Sequence, residues 1–439
     1  MAQLLRTNRD AIIIPRLRWW IAGLLFASTA INYIDRQTVS VLAPYLKIEF
    51  HWTNTDFALI LIAFRISYAL GETACGRFLD RLGTRVGLLI SVSWYSLAAM
   101  VTGLAVGLRS FVVFRFLVGV GESANWPGAT KAVSEWFPKS ERGWAIAFFD
   151  SGSAVGGAIV PVLVLWLYHH FGTWRPVFFM TGCLGFLWVL AWKALYHPPE
   201  VHPHIGTAER KMLRHARDLE ETLEVHVVRE DHHPGKVIPW RDLLTLRQTW
   251  GIIVARGVTD PVWFFIMEWF AIYVVSKGFK LENTLAGFWL PYLAGDLGNF
   301  FGGGLSSELI RRGWPVLRAR KFVIVLGTLG MVLLIPAVYT SHFSLIVVFF
   351  SISSFSYATW STMLLALPSD IYPSSTVASV TGMSLTGGGI GTIVSTFLIG
   401  TVVDHYSFKP VLIAASLVPL IGTGFVFLLV RRHGVPSER

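Results

Sequence analysis

Twelve apolar runs, each close to the twenty or so residues that a helix needs to cross a bilayer, leave this chain little choice of architecture. Their approximate limits are 19–42, 57–79, 86–107, 110–131, 143–168, 175–196, 250–276, 285–308, 321–340, 343–367, 376–403 and 408–430. In hydrocarbon every backbone N–H and C=O must be bonded within its own segment, so runs of this kind form helices. The first run follows Arg6, Arg9, Arg16 and Arg18 and has no small-residue cleavage site, so it reads as a retained span and not a signal peptide. Apolar residues make up 53% of the 439 and charged ones 15%, where about 25% is usual for soluble domains. A soluble enzyme, a disordered chain and a secreted disulfide scaffold are thereby excluded. The two cysteines, Cys75 and Cys183, both lie in apolar stretches and indicate no disulfide framework. The expected fold is an all-α membrane protein of twelve transmembrane helices.

Twelve spans put both termini on one side, and lysine and arginine show which. Of the 37 basic residues, 26 fall in segments on the terminal side and 6 on the opposite side. The other five, Arg36, Arg65, Arg115, Lys193 and Arg256, lie within spans or at their edges. Residues 1–18, the central loop 197–249 and residues 431–439 are therefore expected to be cytoplasmic, with the protein in the cell's inner membrane. The net charge of +10 is a topology signal, with no nucleic-acid partner implied.

The central loop holds a charged, helix-compatible run from Ala208 to Val228 and seven histidines: His197, His202, His204, His215, His226, His232 and His233. Their spacing is irregular and no cysteine accompanies them, so a solvated linker is expected and not a metal site.

The sequence on one side of that loop repeats on the other. Ser134-Glu135-Trp136-Phe137-Pro138 returns as Ser369-Asp370-Ile371-Tyr372-Pro373 at an offset of 235 residues. Gly152 and Gly156 meet Gly387 and Gly391 at the same offset. Near this register, the segment Gly76 to Arg85 after span two is matched by Gly304-Leu-Ser-Ser-Glu308 at the end of span eight. The chain therefore reads as two six-helix halves in parallel repeat, 19–196 and 250–430, with a substrate site between them near mid-membrane. The glycine rows let helix backbones approach closely in lipid, as helices that rock against one another require.

Gly76-Arg-Phe-Leu-Asp80-Arg81-Leu-Gly83-Thr-Arg85 resembles the signature of the major facilitator superfamily between spans two and three. Asn32 through Arg36, Arg115 through Glu122, Trp136 through Arg142, Thr259 through Trp263 and Ala294 through Asn299 resemble one branch, the anion:cation symporters, and especially hexuronate transporters. The likeness covers nearly the whole chain apart from the termini and central loop. It implies alternating access, with Gly76, Asp80, Arg81, Gly83 and Arg85 forming a cytoplasmic charge latch that stabilises one access state. It also implies that Arg36 takes the substrate carboxylate, that Asp35 and Glu122 carry protons with Arg115 as relay, and that Tyr33 and Tyr68 line the sugar site.

Charged side chains in mid-membrane cost a few kcal/mol or more, so each needs a partner or a function. By helical rise, Asp35 and Arg115 lie at similar depth and can pair across spans, with Glu122 roughly 10 Å deeper on nearly the same face. Such a ladder of acid, base and acid suits proton coupling. Arginine's planar fork matches a carboxylate bidentately. Ser153 stands where galactonate-type relatives place a glutamine, and Glu72 where an amide is common, with Arg65 seven residues away to neutralise it. In the second half the intramembrane charges are Arg256, Asp260, Glu268 and Asp296. Arg256 and Asp260 form an i,i+4 pair; Asp296 and Asn299 can face the cavity, and Trp263 and Trp360 can stack on a sugar ring.

The expected function is proton-coupled import of a sugar-acid monocarboxylate, a hexuronate first and an aldonate next, by a monomer whose partners are the organic anion, the proton and the lipid bilayer. No cofactor is expected beyond the proton as coupling ion. An exchanger or exporter is the rival within transport. A membrane-embedded enzyme lacks a nucleophile–base pair or metal cluster in the spans, and a receptor lacks a signalling domain.

Overall fold

The computed structural model describes residues 13–224, 238–279 and 285–431. The first half contains α1 (Leu17–Glu49), α2 (Asn54–Leu82), α3 (Thr84–Thr102), α4 (Leu108–Glu122), α5 (Asn125–Trp136), α6 (Lys139–Asp150), α7 (Gly152–Phe171) and α8 (Arg175–Leu195). Two helices follow in the central segment, α9 (Thr207–Glu224) and α10 (Trp240–Thr245). The second half contains α11 (Arg247–Ser276), α12 (Leu285–Arg311), α13 (Val316–Val332), α14 (Pro336–Tyr339), α15 (Phe343–Ile371), α16 (Val377–His405) and α17 (Phe408–Leu429). Taken as single traverses, α4–α5, α6–α7 and α13–α14 bring the number of crossings to twelve. Among the described residues, eight helical segments are long and apolar enough to cross a membrane by length and composition alone. The other four crossings, α1, α4–α5, α11 and α12, hold Asp35, Arg36, Arg115, Glu122, Arg256, Asp260, Asp296 and Asn299. Polarity is concentrated where the site lies.

Three spans read as continuous, 110–131, 143–168 and 321–340, are broken, the last between Val332 and Pro336. Pro127 has no N–H to return to Ser123, so the fourth crossing bends between α4 and α5, where the Ser123 and Ala124 amides bond Gly119 and Gly121. At the α6–α7 junction the hydroxyls of Ser151 and Ser153 bond back to Phe148 and Asp150 carbonyls at 2.8 and 2.7 Å, a competition with the backbone ladder that bends helices. The glycine rows act within the halves. Gly152 and Gly156 lie on the backbone of α1, and Gly387 and Gly391 lie in the same way on α11. Each half thus packs its first helix against its fifth, as a parallel repeat requires.

The halves meet on the side that carries the termini, where α2 lies along α16 and α6 along α12, while α7 barely touches α12. A Cβ on Gly76 would collide with the Ala378 carbonyl, and one on Gly382 with the Glu72 carbonyl. Toward mid-membrane the halves are still joined by hydrogen bonds from Thr386 to the Ala69 carbonyl and from Asn299 to Asp150. The molecule is closed on the terminal side and open on the other.

The central segment is not the solvated linker that its composition suggests. Glu209 of α9 accepts from the amides of Leu17 and Arg18 and pairs with the Arg18 guanidinium at 2.6 Å, capping the start of α1. An acid at a helix N-terminus meets the positive end of the dipole. Arg18 also pairs with Glu141 at 2.8 Å, and Ile205 and Leu213 join the apolar core of the first half. His226, His232 and His233, and the stretch 225–228 of the expected helical run, lie outside the described residues.

His202 is buried at this dock, edge-on to Trp136. The His204 amide donates to its Nδ1 at 3.1 Å, which leaves Nε2 to donate to the Leu195 carbonyl at 2.8 Å. Burial, against the opposing pull of the Leu195 bond and with help from His197, His204 and Arg210, holds the imidazole below its ordinary value of 6.5. The docked segment then binds fewer protons than the undocked one, so docking is fully stable above 6.5 and weakens as pH falls below it. Amide exchange across residues 204–217, corrected for its intrinsic pH dependence, should accelerate between neutral pH and mild acid, and His202→Gln should flatten that response. Protection unchanged by acid in the wild type would contradict it.

Candidate functional site

In the first half, α1, α2 and the α4–α5 bend converge on one guanidinium. Asn32, Tyr33 and Arg36 share a face of α1 by their three- and four-residue spacing, as do Phe64 and Tyr68 on α2. Arg36 reaches Glu122 Oε2 through Nε and Nη2, both at 3.3 Å, and Asn32 through Nη2 at 3.2 Å. Its guanidinium carbon lies 4.5 Å from the Tyr68 ring centre, 5.1 Å from those of Tyr33 and Phe64, and 5.9 Å from Trp126. A cation over each such ring gains about 0.5–2 kcal/mol. The Arg36 side chain keeps 22% of its surface exposed whereas Glu122 keeps none, so an anion reaches the arginine and not the acid.

The pair is loose. Charge-assisted bonds of this type usually run to about 2.7–2.9 Å; here one carboxylate oxygen serves two donors at 3.3 Å. The other oxygen, Oε1, has no hydrogen-bond partner among the described residues. Of the expected cluster, the structure brings together Tyr33, Arg36, Tyr68 and Glu122. Phe64 and Trp126 were missed, although Trp126 follows Glu122 by one helical turn.

The expected pairing of Asp35 with Arg115 does not form. Arg115 is buried and donates instead to the main-chain carbonyls of Asp35 (3.3 Å) and Arg36 (3.2 Å), with its guanidinium 4.7 Å from the Phe64 ring centre. Both oxygens of Asp35 are buried without a hydrogen-bond partner among the described residues, beside the Thr181 hydroxyl. Arg115 thus braces the backbone that presents Arg36, and Asp35 lies behind it. Ser153 gives its hydroxyl to the Asp150 carbonyl. Asn299 donates to Asp150 at 3.1 Å and accepts from Thr362 at 2.7 Å, while Trp126 donates to Asp150 at 2.8 Å. This chain of side chains spans both halves at the foot of the opening.

In the second half Arg256 and Asp260 pair locally at 3.4 Å, as expected. The Tyr357 hydroxyl donates to Asp260 at 2.9 Å, and Trp263 stacks on Tyr357 with ring centres 5.4 Å apart. Tyr357, and not Trp360, is the aromatic residue of α15 that joins Trp263 and the Arg256–Asp260 pair. Trp360 itself is fully buried against Gly327 and donates to Thr423 at 3.1 Å, one turn round α15 from the cavity face. Glu72 is buried, whereas Arg65 is exposed on the same helix; the cations that act on Glu72 are Arg256 and Arg36. Asp296 is half-buried near Asp150, and the side chain of Glu268 lies outside the described residues.

The latch segment joins the two halves on the terminal side. Asp80 pairs with Lys131 at 2.7 Å and accepts from the amides of Ala378 (3.3 Å) and Ser379 (2.7 Å). It therefore caps the N-terminus of α16 in the other half. Gly83 turns the chain from α2 to α3 at φ +80°, a conformation suited to glycine. Arg81 is exposed, and Arg85 donates to the Lys193 carbonyl within its own half. Glu308, the match in the second half, pairs with Arg311 and Arg312 beside it. The repeated motif supplies the second lock. Arg142 holds the Ser134 and Phe137 carbonyls of its own copy and reaches Ser369 and Asp370 of the other, while Arg320 binds Asp370 at 2.8 Å and the Lys139 carbonyl at 3.1 Å.

Residues 25–319 match the model of the Major Facilitator Superfamily. The chain is 28% identical to the hexuronate transporter of Escherichia coli strain K12 over 426 residues, 95% of each protein. It is 30% identical to the D-galactonate transporter of Escherichia coli O6:H1 over 423 residues, 94% of this chain and 96% of that one. Among solved structures, the proton:xylose symporter XylE bound to 6-bromo-6-deoxy-D-glucose superposes with a TM-score of 0.72 at 14% identity, covering 94% of this chain and 96% of that one. The chain belongs to the Major Facilitator Superfamily: it is an integral membrane transporter and not an enzyme.

Asp80→Asn removes the charge that faces both Lys131 and the start of α16. It should cost the closed state about 1–3 kcal/mol, a roughly five- to hundred-fold shift toward opening on the terminal side. A cysteine at Ser379, in a Cys75→Ala, Cys183→Ala background, should then be alkylated faster from that side by the same factor. An unchanged rate would reduce Asp80 to a charge that offsets its basic neighbours.

Proposed function

We propose that the chain imports a sugar-acid monocarboxylate with a proton by alternating access, a hexuronate such as glucuronate or galacturonate first and an aldonate such as galactonate next. The observation that carries this reading is the loose, single-oxygen pair between partly exposed Arg36 and fully buried Glu122 in an aromatic cage. An incoming carboxylate offers the guanidinium two coplanar oxygens where Glu122 offers one. It displaces Glu122, which cannot stay charged and unpaired in mid-membrane and so takes a proton. Asp35, behind Arg115, is the second acid of the couple. Tyr33, Tyr68 and the Asp150–Asn299 chain present hydrogen-bonding groups suited to a hydroxylated ligand. Once the terminal side opens, Glu122 loses its proton and reclaims Arg36, which expels the anion.

The names of the relatives, hexuronate and D-galactonate transporters, support this substrate class. The excess of basic residues on the terminal side supports cytoplasmic termini in an inner membrane, hence an outward-open form closed on the cytoplasmic side. One chain holds both halves of the site, so a monomer suffices.

Purified protein in proteoliposomes, given an inward proton gradient, should accumulate hexuronates or aldonates. Arg36→Ala should weaken binding at least about 30-fold, since losing one partner of a buried charge pair costs about 2–5 kcal/mol. Arg36→Lys should recover little of that, because the planar fork is gone. Wild-type affinity in Arg36→Ala would place the anion elsewhere, with Arg65 or Arg256 next in line.

A further inference from the structure

Glu72 is a buried carboxylate that this account of coupling leaves unused. It sits on the α2 face whose backbone packs on Gly382 of α16, one turn from the Gly76–Ala378 contact. Its surroundings can be named element by element. From α1 comes Arg36; from α11 come Arg256 and Asp260; on α2 itself lie Tyr68 and Cys75; and α16 contributes backbone and the Thr386 hydroxyl, which is bonded to Thr73 and Ala69. Both cations are already engaged, Arg36 with Glu122 and Arg256 with Asp260. Three guanidinium groups, Arg36, Arg115 and Arg256, thus serve four buried carboxylates, Asp35, Glu72, Glu122 and Asp260, and Asp150 adds a further negative charge near Arg256. A carboxylate buried to this degree, with its neighbouring cations already engaged, is retained as its neutral acid.

We propose that Glu72 is a further proton-carrying carboxylate, beyond Glu122 and Asp35, gated by the seam between α2 and α16 and not by the substrate. While the seam is closed the carboxylate holds a proton drawn from the open side. When α2 and α16 part, water reaches the side chain, the O–H bond breaks, and the proton leaves on the terminal side. One proton is bound and one released per cycle, and no other species is consumed. Because the closed state binds this proton and the parted state does not, acid favours closure and alkali favours parting. The device rests on the transport reading above, yet its first consequence appears without any substrate.

The test therefore has a ligand-free arm. In the Cys75→Ala, Cys183→Ala background, Ser379→Cys should be alkylated from the terminal side at a rate, corrected for thiol ionisation, that rises with pH by up to about tenfold per unit, the limit for one proton. Glu72→Gln, which keeps the shape and removes the titration, should flatten that profile, and Glu72→Asp should restore it. The second arm measures the reversal potential of substrate flux in proteoliposomes, where Glu72→Gln should lower the proton-to-substrate ratio by about one while substrate exchange persists. A pH-dependent labelling profile and an unchanged ratio in Glu72→Gln would overturn the proposal while leaving transport intact. Absence of sugar-acid flux in the wild type, with the labelling profile still dependent on Glu72, would overturn the transport reading and leave the gated proton standing.

Discussion

The molecule depends on how it holds Arg36 charged in the middle of a membrane. A guanidinium cannot shed its proton there, so the protein surrounds it with rings and gives it Glu122, at a geometry poorer than the one a carboxylic acid ligand would offer. The surrounding residues maintain that poor match. Arg115 pins the carbonyls of Asp35 and Arg36, fixing the α1 turn that aims the guanidinium. The bend at Ser123, forced by Pro127, brings Trp126 beneath it. A tighter pair would resist displacement, and an open site without Glu122 would leave the cation unpaired between cycles.

The second constraint is that the halves must hold together on one side and still part. The seam is built from features that let go easily. Backbones touch where glycine leaves room, Asp80 caps a helix end in the other half, and two arginines reach across the repeated Ser-x-x-x-Pro motif. None of these is an interdigitated apolar core, although Leu365, Ala366 and Ala378 extend the core of the first half across the junction. The repeat is equal in shape and unequal in chemistry: Asp80 spans the seam while its counterpart Glu308 pairs with Arg311 and Arg312 at the end of its own helix. One side therefore carries the finer control.

Much of this was legible in the sequence, because lipid imposes length and periodicity. The twelve crossings follow from apolar runs, whereas the Tyr33–Arg36–Tyr68–Glu122 cluster was implied by the family resemblance, and helical depth alone pointed to an Asp35–Arg115 pair that does not form. What escaped depended on backbone or on inter-helix packing. No side-chain pattern reveals that Arg115 seeks carbonyl oxygens, or that Asp80 meets amides of a helix almost 300 residues away. Tyr357 and Trp360 lie three residues apart on α15, and only the close approach of α13 at Gly327 decides which of them turns inward. The central segment misled because its charges look solvated, yet Glu209 and Arg18 use them to dock it. Trp126 was within reach, one turn beyond Glu122, and shows that a turn-spaced aromatic after a buried acid deserved weight.

The central claim is that the substrate's carboxylate replaces that of Glu122 on Arg36 and that the displaced acid takes a proton. Calorimetric binding of a hexuronate or aldonate to the purified protein, repeated in buffers of different ionisation enthalpy, measures the protons exchanged on binding. The account predicts uptake of about one proton per anion bound, lost in Glu122→Gln. Binding of undiminished affinity with no proton taken up by the wild type would contradict it.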